Sequence, residues 1–407
     1  MRKWTYEALY QVMVEGVYSN LYLKKHLQEL PEKDQPLATR IFYGTIQNYG
    51  YCQYVWSQYI QNQKKISKKA QIILSMSVYQ LLFLERVPRY AIIDEAVTIT
   101  KQISPKLSGL VNAVLRKVNK KDIVLPEDEM ECLSIVTSTP LWLLKMWKSQ
   151  YGIEKMEQMA KASNQTLPIY VRRNPLLVSK MEFEKDLSME PYKNLYIYRG
   201  NQIFTHPYYK KGWVSIQDEG SYAISQYVDA RENEVILDVC AAPGTKTMAM
   251  AEQMNQTGHI DCLDIHAHRV RLIENEMKRL HIENVSAHVQ DACDLKNYGM
   301  YDKILCDVPC SGYGVFARKP DIKIRMQPSD MDTLIPVQRA ILSSASEHVK
   351  VHGILVYSTC TANKKENEKQ VEWFLKQNPQ FELLEQNMIF PSEKTDGFYM
   401  AKLRREG

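Results

Sequence analysis

The sequence predicts two kinds of architecture in series: an all-α front followed by an α/β back. Two observations carry this. Through about the first 125 residues apolar side chains recur at helical spacing, whereas from about residue 231 short β-branched runs alternate with helical stretches. A third observation concerns the back half alone, where each apolar run ends on polar residues, as at the binding edge of a parallel sheet. The 407 residues are 45% hydrophobic and 24% charged, a globular composition with room for two or three domains.

In the front, Ala8-Leu9, Val12-Met13 and Val17 form one helical stripe. Ile72-Ile73, Val78 and Leu81-Leu82 form a second, and Ala91-Ile92 with Ala96-Val97 a third. Pro31, Pro36, Pro88 and Pro105 fall at helix boundaries. A polar connection over residues 119–131, containing Pro126, ends the bundle, so a first domain of about residues 1–130 is expected. Residues 1–125 carry a net charge of +9, against −4 for the rest. That imbalance suits a polyanionic partner such as RNA as well as it suits solvated helix ends. The pairs Lys64-Lys65, Lys68-Lys69, Arg116-Lys117 and Lys120-Lys121 are the candidate phosphate contacts.

The middle, residues 140–230, carries weaker signals. Trp142 to Tyr151 and Glu154 to Ala162 read as helices. Ile169-Tyr170-Val171-Arg172-Arg173 reads as a strand with basic residues at its exit. Gln217-Asp218 precedes a further helix.

In the back, Val235-Ile236-Leu237 is a buried strand, and Met248 to Met254 opens a helix. Between them lies Asp238-Val239-Cys240-Ala241-Ala242-Pro243-Gly244-Thr245-Lys246-Thr247, a turn of small residues. Such a strand–turn–helix offers backbone N–H groups and a helix N-terminus to a ligand. It lacks the second and third glycines of a nicotinamide fingerprint but leaves room for an adenosyl ligand. Further strands are expected at Ile260 to Asp264, Val285 to Val289, Lys303 to Cys306 and Gly353 to Tyr357, with Asp396 to Leu403 last. Asp264 stands about 20 residues after the turn, where a carboxylate can accept ribose hydroxyls. Asp291, Asp307-Val308-Pro309-Cys310 and Ser358-Thr359-Cys360 follow their strands in turn.

Eight cysteines are scattered without a CxxC pair, which fits neither a disulfide framework nor a zinc site. Reduced thiols in a cytoplasmic protein are expected. No apolar run reaches the roughly 18 residues of a membrane span, and the N-terminus has no signal-peptide centre.

The motifs Asp238-x-Cys240-Ala-Ala-Pro-Gly-x-Lys246-Thr, Asp307-x-Pro-Cys310-Ser-Gly and Ser-Thr-Cys360 resemble the RNA cytosine carbon-5 methyltransferases of the Sun (Fmu-like) type, which use S-adenosylmethionine (SAM). Residues 40–45 and 110–116 resemble the helical domain of the transcription factor NusB, which precedes the catalytic part in one branch of that family. The resemblance implies a NusB-like RNA-binding bundle, a small α/β RNA-contacting subdomain at 140–230, and a Rossmann-like seven-stranded SAM-dependent core at 231–407 ending in a hairpin. It covers essentially the whole chain, most clearly residues 213–403.

The chemistry follows from the base. Carbon 5 of cytosine is a poor nucleophile until a thiolate adds to carbon 6. The resemblance makes Cys360 that nucleophile and Cys310 the group that helps release product. Asp307 can accept from the exocyclic amine, and Lys246 can stabilise charge nearby. SAM is expected over Cys240, Ala241, Ala242, Pro243, Gly244, Thr245 and Lys246, with its ribose on Asp264, its adenine on Asp291, and Asp307 beside it. Arg269 is expected to orient Asp264. Three departures from the family pattern stand out: Thr245 replaces a second glycine, Ala317 replaces the first arginine of an Arg-Arg-x-Pro-Asp segment, and Thr361 replaces a common serine. The implied partner is 16S ribosomal RNA, free or in early assembly, bound by a monomer without metal or membrane. Methylation of transfer RNA, or a non-catalytic RNA-binding assembly role, are the competing readings.

Overall fold

The computed structural model describes residues 1–62 and 66–407. The lysine pair Lys64-Lys65 therefore lies outside the described residues. The chain forms two compact units, one of Met1–Gln165 with Phe316–Met326, the other of Thr166–Val315 with Gln327–Gly407.

The first unit is helical. Its helices include Arg2–Met13, Gln35–Gln47, Tyr49–Ser57, Lys68–Phe83, Arg89–Ile103 and Ser108–Lys117. Leu9, Ile41, Phe42, Trp56, Ile73 and Leu115 have essentially no exposed surface and form one core. Their spacing explains the helices: each turns one apolar stripe inward, and burying such side chains contributes about 1.5–3 kcal/mol apiece. Ser67 caps the Lys68–Phe83 helix by accepting from the Ala70 N–H.

This unit continues past the boundary expected near residue 130. Asp128 caps a further helix, Glu129–Val136, inside the stretch read as a polar connection. Helices Leu141–Tyr151 and Ile153–Ala162 follow. The polar residues that suggested a linker are the cap and the acidic first turn of that helix. Residues 316–326 return to the same unit. Asp321 accepts from Ser19 Oγ at 2.7 Å, and Lys323 donates to Thr137 O and Asn164 Oδ1 at 2.8 and 2.7 Å.

The second unit contains two sheets. The smaller is antiparallel, formed by β1 (Ile169–Arg173), β2 (Met189–Tyr192), β3 (Leu195–Tyr198) and β4 (Val214–Ile216) in the order β2-β3-β1-β4. The larger comprises β5 (Val235–Asp238), β6 (His259–Asp264), β7 (Val285–Val289), β8 (Tyr301–Asp307), β9 (Val349–Thr359), β10 (Phe381–Ile389) and β11 (Phe398–Arg405). Its order is β10-β11-β9-β8-β5-β6-β7, with β7-β6-β5-β8-β9 parallel and the β9-β11-β10 end antiparallel. The chain winds from β5 to β6 on one side and returns to β8 on the other. The crevice at the ends of β5 and β8 is thus a topological switch point, where such sheets bind ligands.

Leu237, Leu263, Ile304, Leu355 and Tyr357 fill the core under the larger sheet. Arg172 is not a free basic residue at the exit of β1. Its guanidinium is buried and pairs with both oxygens of Glu252 at 2.8 Å, and it donates to Gln217 Oε1 and to Thr245 O. It thereby fastens the small sheet to both ends of the helix Thr245–Gln253. No helix among the described residues is long and apolar enough to cross a membrane.

Candidate active site

Two groups of side chains converge at the carboxyl ends of the parallel strands. The first surrounds the turn after β5. Gly244 takes φ +98°, the left-handed conformation that favours glycine, and the helix begins at Thr245, earlier than the apolar pattern suggests. Thr245 is helical, so the second glycine of the family pattern is not needed here for its backbone angles. The Ala241 N–H donates to Leu263 O at 2.8 Å and the Gly244 N–H to Ala241 O at 2.7 Å, which fixes the turn against β6. Cys240, in the turn, is kept a neutral thiol by burial, which pushes its pKa well up.

Asp264 ends β6 with its side chain only 3% exposed. Its Oδ1 accepts from the His266 N–H at 3.0 Å, and its Oδ2 meets Arg269 Nη1 at 3.1 Å. Arg269 also donates to Ala242 O at 3.0 Å, so one guanidinium spans the turn and the carboxylate. Asp291 follows β7, exposed, its Oδ1 accepting from the Cys293 N–H at 2.9 Å.

Asp238, at the end of β5, escaped the sequence reading as a site residue because it looked like part of the strand. It is buried, and Thr247 Oγ1 donates to its Oδ2 at 2.7 Å. Its Oδ1 has no hydrogen-bond partner among the described residues. Burial, only partly opposed by Thr247, pushes its carboxyl up to about 7. An orphaned acceptor below the turn, a buried carboxylate at β6 and backbone N–H groups between them suit a ligand with a cationic end and a ribose. On that chemistry the residues fit SAM.

The second group joins β8 to β9. Lys246 Nζ meets Asp307 Oδ2 at 2.6 Å, and Ser358 Oγ donates to Asp307 Oδ1 at 2.8 Å. Burial works against the Lys246 charge, but the charge and hydrogen bond of Asp307 outweigh it and hold the ammonium above its ordinary pKa. Cys310 Sγ and Cys360 Sγ lie 3.2 Å apart, although 50 residues separate them in sequence. The hydrogen bond with Cys360, aided by burial, pushes the Cys310 thiol well up.

Behind the thiols lies a buried polar cluster that sequence reasoning missed. Glu366 Oε1 accepts from the Ser311 N–H and from Gln338 Nε2, at 2.9 and 3.0 Å. Its Oε2 accepts from Ser311 Oγ and from Asn363 Nδ2. Thr361 Oγ1 lies 2.6 Å from Ser311 Oγ. Glu366, Gln338 and Thr361 are completely buried. A Glu and a Gln in a polar loop and an amphipathic helix carry no periodic signal of burial, so nothing in the sequence marked them.

A switch-point crevice lined in this way, on this sheet, defines a SAM-dependent RNA methyltransferase. Residues 225–404 match the 16S rRNA methyltransferase RsmB/F family, residues 1–120 the NusB family, and residues 139–193 the ferredoxin-like domain of the RsmF/B-like methyltransferases. The chain is 34% identical to the probable ribosomal RNA small subunit methyltransferase B of Bacillus subtilis (strain 168), covering 98% of each chain. Among solved structures, the crystal structure of PH0851 superposes with a TM-score of 0.80 at 25% identity, covering 95% of this chain and 94% of that one. A methyltransferase homolog protein from Pyrococcus horikoshii gives a TM-score of 0.62 at 25% identity, covering 69% of this chain and 100% of that one. The chain belongs to the RsmB/F methyltransferase family, in the branch that carries a NusB domain at its N-terminus.

Proposed function

We propose that this chain methylates carbon 5 of a cytosine in 16S ribosomal RNA, with Cys360 as nucleophile and Cys310 as its acid–base partner. The observation that carries the reading is the pair of sulfurs 3.2 Å apart beside the Lys246–Asp307 pair.

One of the two thiol protons leaves for solvent, and the one that remains stays on Cys310, leaving a thiolate at Cys360 that adds to carbon 6 of the base. The electron pair of the 5,6 double bond moves onto carbon 5. Bound SAM supplies an electrophilic methyl group at that carbon. Cys310, once its own proton has passed to solvent, is the nearest base to remove the carbon-5 proton. The 5,6 double bond re-forms as the Cys360–carbon 6 bond breaks and the thiolate leaves. Asp307, oriented by Lys246 and Ser358, accepts from the exocyclic amine of cytosine and repels the carbonyl that uracil has there. The target must leave its stack, which loop or single-stranded RNA makes inexpensive. The name of the relative from Bacillus subtilis and the +9 charge of residues 1–125 support ribosomal RNA as the partner. In that front segment Lys68, Lys69, Arg116, Lys117, Lys120 and Lys121 are exposed.

The test is to incubate the full chain with labelled SAM and undermodified total RNA and map the methylated cytosines. Label at a 16S cytosine supports the reading, and label confined to transfer RNA overturns the substrate. In parallel, Cys310→Ala should trap a protein–RNA adduct that survives denaturing electrophoresis, and Cys360→Ala should not. The opposite pattern would exchange the two roles.

A further inference from the structure

We propose that Glu366 is a positioning residue that holds Cys310 against Cys360 and so controls release of the methylated product. The proposal rests on the thiol assignment above.

Glu366 lies in the segment between β9 and the helix Glu368–Gln377, completely buried. Its carboxylate accepts from four donors, all of them neutral: an amide N–H, a hydroxyl and two carboxamides. Four donors match the four lone-pair directions that a carboxylate offers. The donors are not scattered. Two belong to Ser311, the residue after Cys310. A third, Gln338 Nε2, also donates to Pro309 O, the residue before Cys310, at 2.9 Å. The fourth, Asn363, sits three residues beyond Cys360.

Both neighbours of Cys310 are thus tied, through one carboxylate, to the loop that bears Cys360. Thr361 adds a direct link, because its Oγ1 meets Ser311 Oγ and accepts from the Tyr313 N–H at 3.2 Å. The Tyr357 hydroxyl donates to Glu366 O at 2.6 Å, which fastens the carboxylate's own backbone to β9. The two sulfurs meet at 3.2 Å, and the loops beneath them set that separation. The negative charge of Glu366 also contributes to the upward push on the Cys310 thiol.

Replacing Glu366 with glutamine keeps the shape but turns an NH2 group toward two of the four donors. Those donors lose their acceptor, and the Cys310 loop is released from the Cys360 loop. Elimination needs proton chemistry by Cys310 beside Cys360 and should suffer most. Attack by Cys360 should suffer least.

The experiment uses the full chain, unmodified 16S RNA and labelled SAM. E366Q should lower kcat roughly 10- to 100-fold, a portion of what positioned acid–base groups supply. KM for SAM should stay within about twofold. The protein–RNA adduct should accumulate, and the pH optimum should move down, because a less perturbed Cys310 ionises more readily. Adduct formation that slows in proportion to turnover, with no accumulation, would overturn the proposal by making Glu366 a purely structural residue. If E366Q fails to fold, Thr361→Val gives the same readout, since it cuts the Ser311 link and spares the carboxylate; adduct then supports the proposal and its absence overturns it. Cys310→Ala, run alongside, separates the two hypotheses. Without adduct in that variant the thiol assignment itself fails. Adduct in Cys310→Ala but not in E366Q removes only the role of Glu366.

Discussion

The cofactor edge, at the ends of β5 and β6, and the thiol edge, at the ends of β8 and β9, are built differently. The cofactor edge is local. Asp238 to Arg269 spans about 30 residues, and its contacts are mainly backbone hydrogen bonds within a turn plus one guanidinium. The thiol edge is non-local. It joins two loops about 50 residues apart through a buried carboxylate, two carboxamides and two hydroxyls. A local turn tolerates loss of one contact because the chain continues to hold it. A buried polar network does not, because each donor left behind stays desolvated. The comparison therefore predicts graded effects on SAM affinity at one edge and abrupt effects on chemistry at the other.

The largest effect should come from Cys360→Ala. Turnover should fall at least about 10³-fold, the scale of losing a nucleophile. Calorimetry should find SAM affinity within about twofold of the parent. A large loss of SAM affinity in this variant would mean that the two edges are not separable.

Next comes Asp238, which belongs to the cofactor edge yet is as buried as the thiol network. Its folded-state pKa is raised from 3.8 to about 7. Between about pH 4 and pH 7 the folded chain keeps a proton that the unfolded chain has released. Stability contributed by this group therefore falls as pH rises across that window, by about 1.4 kcal/mol per pH unit at most. Asp238→Asn removes the titration and retains an acceptor for Thr247. Its Tm, relative to the parent, should rise from pH 5 to pH 7 and level off above. Parallel curves for the two proteins would show that Asp238 is already ionised at pH 5.

The same contrast explains what could be read from the sequence. Asp264, Lys246, Cys310 and Cys360 stand in short motifs at strand ends, so chain order alone placed them on one edge of the sheet. The alternation of runs marked the parallel strands along the chain but not their order in the sheet, and β10 was visible only through the hairpin that the family resemblance implies. Glu366 and Gln338 could not be found this way. Their roles depend on which loops meet, and that is decided by the pairing of β8 with β9. The partner of Arg172 was hidden for a related reason. A basic residue at a strand exit suggests solvent or RNA, but its partner Glu252 lies 80 residues away. The helix Glu129–Val136 was hidden because its cap and acidic first turn have linker composition.

Asp264→Ala should have an intermediate effect. The carboxylate is buried, and losing a charged acceptor costs about 1.5–3 kcal/mol. SAM affinity should weaken roughly 10- to 100-fold by calorimetry, while kcat at saturating SAM stays within about threefold. An unchanged affinity would remove Asp264 from the ribose site. An equal loss in kcat would show that this edge also sets the chemistry.

The smallest effect should be at Arg269, and it probes how local the cofactor edge is. Its side chain is 42% exposed, so its pairing with Asp264 is screened and contributes at most about 1 kcal/mol. The bond to Ala242 O adds a second, neutral restraint on the turn. The backbone bonds from Ala241 and Gly244 remain when the arginine is gone. Arg269→Ala should therefore weaken SAM binding only about three- to tenfold, and the loss should shrink further at high salt as the charge pairing is screened. Arg269→Lys, which can reach one partner but not both, should fall between. A loss as large as that of Asp264→Ala, insensitive to salt, would mean that the guanidinium and not the backbone holds the turn. In that case the cofactor edge would depend on a single side chain as strictly as the thiol edge depends on Glu366.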